Sequence, residues 1–468
     1  MQIQFLGGAY TGRSSNVSSQ QCVNYFYEKG VDSEALISTP GDTVFNSAYG
    51  GEVRGGINYN DLAYFVIGDK LVEFDSSGTG VSRGTLLTSN GRVGMAHNGV
   101  RTGATQEIMI GDGDQYYIYD NTTSTLTRYA TAVGVPHFFD GYFFFASPGT
   151  DRIYNTNSYD GTTITGTDFV TAEGDPDELT AIIVEQRQVF ALGKITLSAW
   201  YNSGDADTLL ARFQGGYSQT GCVAEFSPAR FDNSIIWLSQ NERGNAQVVR
   251  LGSNLQPQIV SSPEINYQLS TYSKVTDAFA YVYQEEGHEF YVLTFPTDRK
   301  TWVFDASTEQ WHERAHIIDG EVSRERYNCH VFAFGKHLMG DYANGKIYAL
   351  DSTSGTANGA RMPRIRVTGN HSNQEKRVAL ASVQLDMEEG VGDPNEDDTS
   401  IWLSYSKDGG HTFSSERGHS IGDKGDYALR VIWRRLGRAR NWVFKIRTWS
   451  PNRIVLKGLI AREHGEPL

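Results

Sequence analysis

Cysteine is scarce in this 468-residue chain: Cys22, Cys222 and Cys329 lie far apart, with no C-x-x-C pair. An odd, scattered set argues against a disulfide framework or a structural zinc site and for a reducing compartment. No run of about 18 apolar residues occurs, so no transmembrane helix is expected. The N-terminus, Met1-Gln2-Ile3-Gln4-Phe5, has neither a basic n-region nor a long apolar h-region, so no signal peptide is expected either. Stretches of helical periodicity are hard to find. The patterns H-E-x-x-H, G-x-S-x-G and G-x-x-x-x-G-K-[ST] are all missing, and the 11 histidines are dispersed. Nothing here calls for a cofactor, a metal or a catalytic residue.

What the chain does have is glycine (50 residues) and aromatics (12%), the residues of tight turns and half-buried pleated surfaces. It also has a loose repeat: a Gly/Asp/Asn turn, then a short strand ending in Asp, Asn or Ser. The units are residues 68–75, 113–120, 151–157, 193–202, 244–253, 298–305 and 344–351. From Asp75 to Asp351 the mean step is about 46 residues, the size of one four-stranded propeller blade. The expected fold is all-β: a β-propeller of about seven blades over 46–360, with six blades plus an insertion as the alternative. WD40 and kelch signatures do not recur, so other all-β repeat arrangements compete with it. Residues 1–45 read as an irregular polar segment ending in Pro40-Gly41. The polar stretch 352–359 reads as a linker. After it, loosely alternating segments predict a separate β-sandwich-like domain over 361–468.

Charge is divided along the chain. From Pro363 onward there are 17 basic and 14 acidic residues, whereas the part before it has 24 basic and 41 acidic. So acidic a body argues against non-specific nucleic-acid binding. The C-terminal part holds the sharpest feature: no acid occurs between Asp426 and Glu463, while ten basic residues do. Trp433, Trp442 and Trp449 are interleaved. Residues 427–435 and 442–449 read as two strands of a hairpin with an arginine-rich tip. Arg430, Trp433, Arg434, Arg435, Arg438, Arg440, Lys445 and Arg447 are its candidate assembly residues. Docking onto an acidic protein, a neighbour's propeller included, ranks beside a plain solvated face and above nucleic-acid contact.

Two further motifs have modest readings. Ser406, Asp408, Gly410 and Thr412, in Ser406-Lys407-Asp408-Gly409-Gly410-His411-Thr412-Phe413, match the Asp-box turn of sialidases. Its Asp and Ser can bond turn amides, with Gly at positive φ and the aromatic packed below, so its role is structural. In the acidic loop, Asp393, Asn395 and Asp397 alternate like the start of a calcium loop. Asp398 and Ser404 stand where that loop needs Gly and Glu, which leaves a solvated loop.

The stretch from Arg430 to Arg440, with Phe444-Lys445-Ile446-Arg447, resembles the packaged-DNA stabilisation proteins of short-tailed phages. The Pro40-Gly41 entry, Glu52-Val53-Arg54-Gly55-Gly56 and Gly91-Arg92-Val93-Gly94-Met95-Ala96-His97 are similar to that family too, and length and domain order agree over the whole chain. The resemblance implies a non-enzymatic homohexameric tail hub or nozzle, assembled in the host cytoplasm. It implies as partners a head-tail adaptor, a tail needle or tip, and a tailspike or fibre. Phage DNA would pass its lumen without sequence-specific binding, and no membrane insertion is implied. The competing readings are a carbohydrate-active or receptor-binding propeller and a monomeric peptide-binding scaffold.

Overall fold

The computed structural model describes the chain apart from residues 1, 15–17, 32, 100–104, 167–168, 173–176, 206–208, 242–243, 374–375, 391–399 and 465–468. Among the described residues there is one short helix, Pro263–Ser270, and no helix long and apolar enough to cross a membrane. The three cysteines are buried and free.

Seven four-stranded antiparallel units follow one another, six as separate sheets and the sixth in order as part of an 11-stranded sheet. Their first strands are Val53–Tyr59, Gly94–His97, His137–Phe139, Leu179–Glu185, Ala229–Phe231, Phe279–Glu285 and Tyr327–Ala333. These first strands, or in one step the strand beside them, touch those of the next sheet, and the seventh touches the first, which closes a seven-bladed propeller. Strands such as Leu62–Ile67 (LAYFVI) and Gln188–Gly193 (QVFALG) are apolar almost throughout because both faces of a blade are covered. Side chains alternate between faces. Phe65 thus joins the core shared with blade seven, while Tyr64 and Val66 join the one shared with blade two.

All seven repeat units fall on third strands, for example Lys70–Phe74, Tyr116–Asp120, Lys300–Asp305 and Ile347–Asp351. The recurring Asp has a cause. Asp75 accepts the amide and hydroxyl of Ser77, and Asp120 accepts the Thr122 amide and Thr123 hydroxyl. Asp305 and Asp351 do the same with Ser307 and Thr353. Each carboxylate holds the turn into the outermost strand, an Asx-type use of the side chain.

On one face of the ring, first and second strands are joined in six blades by two-residue turns with both φ angles positive. The pairs are Asn60-Asp61, Asp140-Gly141, Gln186-Arg187, Asp232-Asn233, Glu286-Gly287 and Phe334-Gly335. This conformation follows the right-handed twist of the flanking strands.

The first 45 residues differ from the expectation of an irregular segment. Gly41–Asn46 is the outermost strand of blade seven, paired with Ile347–Asp351. Tyr25–Lys29, Glu34–Ser38 and Gln2–Ile3 extend one sheet of the C-terminal sandwich, beside Val455–Glu463, Val378–Met387 and Val431–Ala439. Ser19–Val23 joins the other sheet, beside Arg364–Val367, Asn441–Thr448, Ser400–Ser406 and Arg417–Ser420. It also makes a parallel bridge, Val23 to Glu313, to the outer strand of blade six. One hydrophobic core accordingly runs from blades five and six into the sandwich, through Leu238, Tyr291, Phe304, Leu385, Trp433 and Leu459.

Buried polar side chains hold these pieces together. Arg366 is fully buried without a carboxylate partner; its guanidinium donates to the carbonyls of Phe5, Gly8 and Gln21 and to Gln20 Oε1 at 2.7–3.3 Å. Asn24, at φ 54°, lies where the chain crosses from one sandwich sheet to the other. Its Nδ2 donates to the carbonyls of Ala315 and Pro363 at 2.6 and 2.7 Å, and its Oδ1 accepts the Ala315 amide.

Candidate assembly surface

The basic segment is not a hairpin. Val431–Ala439 pairs with Val378–Met387 at the edge of one sandwich sheet, whereas Asn441–Thr448 lies inside the other, between Arg364–Val367 and Ser400–Ser406. Arg440 alone separates them, so the chain crosses between sheets rather than turning back. Gly437, which looks like part of a hairpin turn, belongs to a β-bulge. Ser382 faces Arg434 and Leu380 faces Gly437, with two residues opposite one between them. Arg435 and Gly437 adopt φ 62° and 94° there. A bulge bends the strand and breaks its alternation. Trp433 and Leu436 consequently both point into the core, and Arg434 and Arg435 both point out.

The eight candidates separate into two groups. Arg430, Arg434, Arg435, Arg438 and Arg440 are exposed, and none makes an ion pair or a side-chain hydrogen bond among the described residues. The other three are committed within the fold. Trp433 is 3% exposed and donates Nε1 to the Arg417 carbonyl at 2.8 Å, so it is a core residue and not an interface anchor. Arg447 binds Glu416 at 2.6 Å and lies over the Trp449 ring. Lys445 is half-buried with its ammonium 5.8 Å from the Phe413 ring centre; burial, then the charge of Arg447, lowers its pKa. One basic residue of the run, Arg453, does reach the propeller, forking onto Glu286 in blade six at 3.0 and 2.7 Å. The surface left for a partner is thus one edge strand with five arginines. Such an edge also resists chance pairing with another sheet, because charge and a bulge both block it.

The Asp-box folds as the sequence implies, with one difference. Asp408 accepts the amides of His411 and Thr412 at 3.0 and 2.9 Å and the Thr412 hydroxyl at 2.6 Å. Ser406 Oγ accepts the Gly410 amide and donates to Asp408. Gly409 and Gly410 both have positive φ. Phe413, however, stays 39% exposed instead of packing beneath the turn. The Ser406 and Thr412 side-chain hydrogen bonds, followed by the turn amides, hold the Asp408 carboxyl well below the usual range. A depressed folded pKa contributes stability that is present above the unfolded value and lost as pH falls through the folded one. Asp408→Ala is therefore expected to lower the melting temperature at pH 7, with the gap from the parent closing only in strong acid. Thermal scans of both proteins from pH 7 to pH 2 check this; a gap unchanged at pH 2 would contradict it.

Of the acidic loop, Asp393, Asn395 and Asp397 lie outside the described residues. Among the described residues no cluster of His, Cys, Asp and Glu is arranged to hold a metal ion.

A cleft of about 780 Å³ opens between blades four and five, lined by Glu185, Gln188, Phe213, Asp232, Arg250 and Asn254. Its acids are paired, Glu185 with Arg230 at 3.3 Å and Asp232 with Arg250 at 2.6 Å. Glycoside hydrolysis needs two carboxyl groups flanking the bond, one of them able to carry a proton. Acids locked to guanidinium groups suit that poorly.

Two of the segments that suggested a phage family, 52–56 and 91–97, meet in space. Arg54 donates Nε to the Gly91 carbonyl at 2.6 Å and Nη1 to the carbonyls of Gly68 and Thr88. Glu52 Oε2 accepts the Gly91 amide.

Family models match the chain in two consecutive parts. One, described as "Bacteriophage P22 Gp10, beta-propeller", covers residues 1–355, and the other, "Bacteriophage P22 Gp10, beta-sandwich", covers 363–463. No match is found among curated proteins. Among solved structures, the extracellular domain of the putative one component system BT4673 from B. thetaiotaomicron is similar at TM-score 0.45 and 10% identity. That match covers 84% of this chain and 47% of that one, so the chain spans about half its length. The N-terminal domain of Nup159 is similar at TM-score 0.41 and 10% identity, over 70% of this chain and 98% of that one. At this level neither says anything about function.

Proposed function

The chain belongs to the bacteriophage P22 Gp10 family, the packaged-DNA stabilisation proteins of phage tails, and from that premise we propose that it is a non-enzymatic hub of the tail. Six copies close into a ring, assembled in the host cytoplasm. The ring joins the head-tail adaptor to the tail needle or tip, carries tailspikes or fibres at its side, retains packaged DNA and later lets it pass. The observation that carries this reading is the arginine edge. Five exposed guanidinium groups without an acid in reach repel one another, and an acidic partner surface relieves that. Arginine forks suit carboxylates, and complementary charge steers association.

The acidic body fits a conduit wall past which DNA slides, since releasing counterions from DNA needs basic surface. The five exposed arginines lie along a single sandwich edge and so suit docking at one place.

Native mass measurement of the purified protein, alone and mixed with its adaptor, tests the reading. The expected result is a mass six times that of the 51.9 kDa chain, in the mixture if not alone. A monomer under both conditions would sink the hub reading and favour the monomeric scaffold.

A further inference from the structure

The first strands of the propeller begin together on the face opposite the two-residue turns. There Arg92, from the link between blades one and two, reaches across the ring. Its guanidinium carbon lies 3.8 Å from the Phe279 ring centre in blade six and 5.3 Å from that of Phe226 before blade five. Arg324, entering blade seven, lies 5.9 Å from the same Phe279 ring and 4.2 Å from the Tyr342 ring. Two cations so share one aromatic ring at the axial mouth.

Their hydrogen bonding is incomplete. Arg324 is only 8% exposed, yet among the described residues its guanidinium finds no acceptor, and its Nη1 is fully enclosed. Arg92 donates Nη1 to Asn328 Oδ1 at 3.0 Å, but its buried Nε has no acceptor. Asp341, Glu52 and Asp277 act on Arg324 through their charge, and Asp277 Oδ1 is itself buried without a hydrogen-bond partner. Glu52 accepts the Gly91 amide at 3.1 Å and Asn328 Nδ2 at 2.9 Å, and Asp277 Oδ2 accepts the Thr297 amide and hydroxyl. Neither acid forms an ion pair with either arginine. Burial of a charged group without hydrogen-bonded compensation is costly, and such groups in native proteins have a partner to be found.

We propose that Arg92 and Arg324 form a seat for a small oxyanion of the phosphate class at the axial mouth of the propeller. A tetrahedral anion offers several acceptor oxygens to two planar forks, the geometry in which arginine outperforms lysine. It would also neutralise a like-charge pair that is held together by the ring. Burial pulls Arg92 down to about 10 against the opposing effects of Cys329 and Glu52, with the charge of Arg324 adding a smaller push in the same direction as burial. The face-on contacts with Phe279 and Tyr342 orient the guanidinium groups without using their N–H donors. The seat is separate from the arginine edge of the sandwich and does not depend on the hub reading.

Inorganic phosphate is the probe, titrated into the full-length protein against chloride at equal ionic strength. The expected result is a saturable rise in melting temperature of roughly 2–4 °C, with broadening of the phosphorus resonance. Arg324→Gln should abolish both effects, and Arg324→Lys, which keeps the charge and loses the fork, should weaken binding at least tenfold by the same readouts. If Arg324→Gln fails to fold, line broadening in the parent and its reversal by sulfate decide the matter. No phosphate-specific effect in the parent, or an effect kept in Arg324→Gln, overturns the proposal.

Discussion

Arg366→Leu is expected to loosen the N-terminal segment and lower the apparent melting temperature by roughly 3 °C, the effect of about 3 kcal/mol spread over a chain of this size. The reasoning is local. The guanidinium serves four acceptors: the carbonyls of Phe5 and Gly8, where the bonds are buried, and the carbonyl of Gln21 and side chain of Gln20, where they are part-buried. Leucine leaves all four without a donor, and an orphaned buried acceptor costs on the order of 1–3 kcal/mol. Relief from burying a positive charge offsets part of this, since burial already holds the Arg366 pKa below its ordinary value. The same substitution should speed tryptic release of the first 13 residues at exposed Arg13. Parent and variant compared by calorimetry and timed digestion give the answer; an unchanged midpoint with unchanged digestion would show that the clamp does not hold the segment.

The second large effect is expected at the sandwich edge. Arg434→Glu with Arg438→Glu should leave a folded protein whose melting temperature matches the parent, because neither side chain has an ion-pair or hydrogen-bond partner among the described residues. Assembly, by contrast, should fail. Replacing two positive charges by two negative ones on each copy turns attraction to an acidic partner into repulsion, and truncating a desolvated interface charge pair alone costs several kcal/mol. Sedimentation and head binding at low and moderate salt read the outcome. If the double variant forms rings and binds heads like the parent, the arginines serve only to keep the edge from pairing, which their place beside a bulge would also explain.

Where the sequence could be read, a repeated local rule stood behind it. Asp75, Asp120, Asp305 and Asp351 recur because one carboxylate caps the same turn in successive blades, and a capping pattern is visible without knowing what the blade packs against. The N-terminal strands follow no local rule. Ser19–Val23 and Glu34–Ser38 are half polar, and although each has a short local partner, the sandwich strands that they join lie more than 300 residues away. The arginine run was legible as charge but not as shape. Gly437 resembles a turn residue, yet its positive φ belongs to a bulge, and Ala439-Arg440-Asn441 has neither Gly nor Pro to reverse the chain. That lack is the signal for a crossing between sheets. Burial of Trp433 follows from the same bulge. The axial arginines, Arg92 and Arg324, are 232 positions apart, and only closure of the ring brings them to one aromatic ring.

Closure of blade seven by Gly41–Asn46 has a consequence for how the chain is made. Its partner strand begins at Ile347, about 300 residues later, so at bacterial elongation rates the early strand waits on the order of 15–60 s before its mate leaves the ribosome. Blades one to six can form in order during that interval, each from contiguous chain, while the first 46 residues have only one another to pair with. Ser19–Val23 waits until Arg364–Val367 has been synthesised, and Glu34–Ser38, already paired with Tyr25–Lys29, waits until Val455–Glu463 has. Native structure is therefore completed only once Val455–Glu463 is available, in a last step that seats the early strands and the late ones together. A nascent chain arrested near residue 340 should bury six blades against protease and leave its N-terminus digestible.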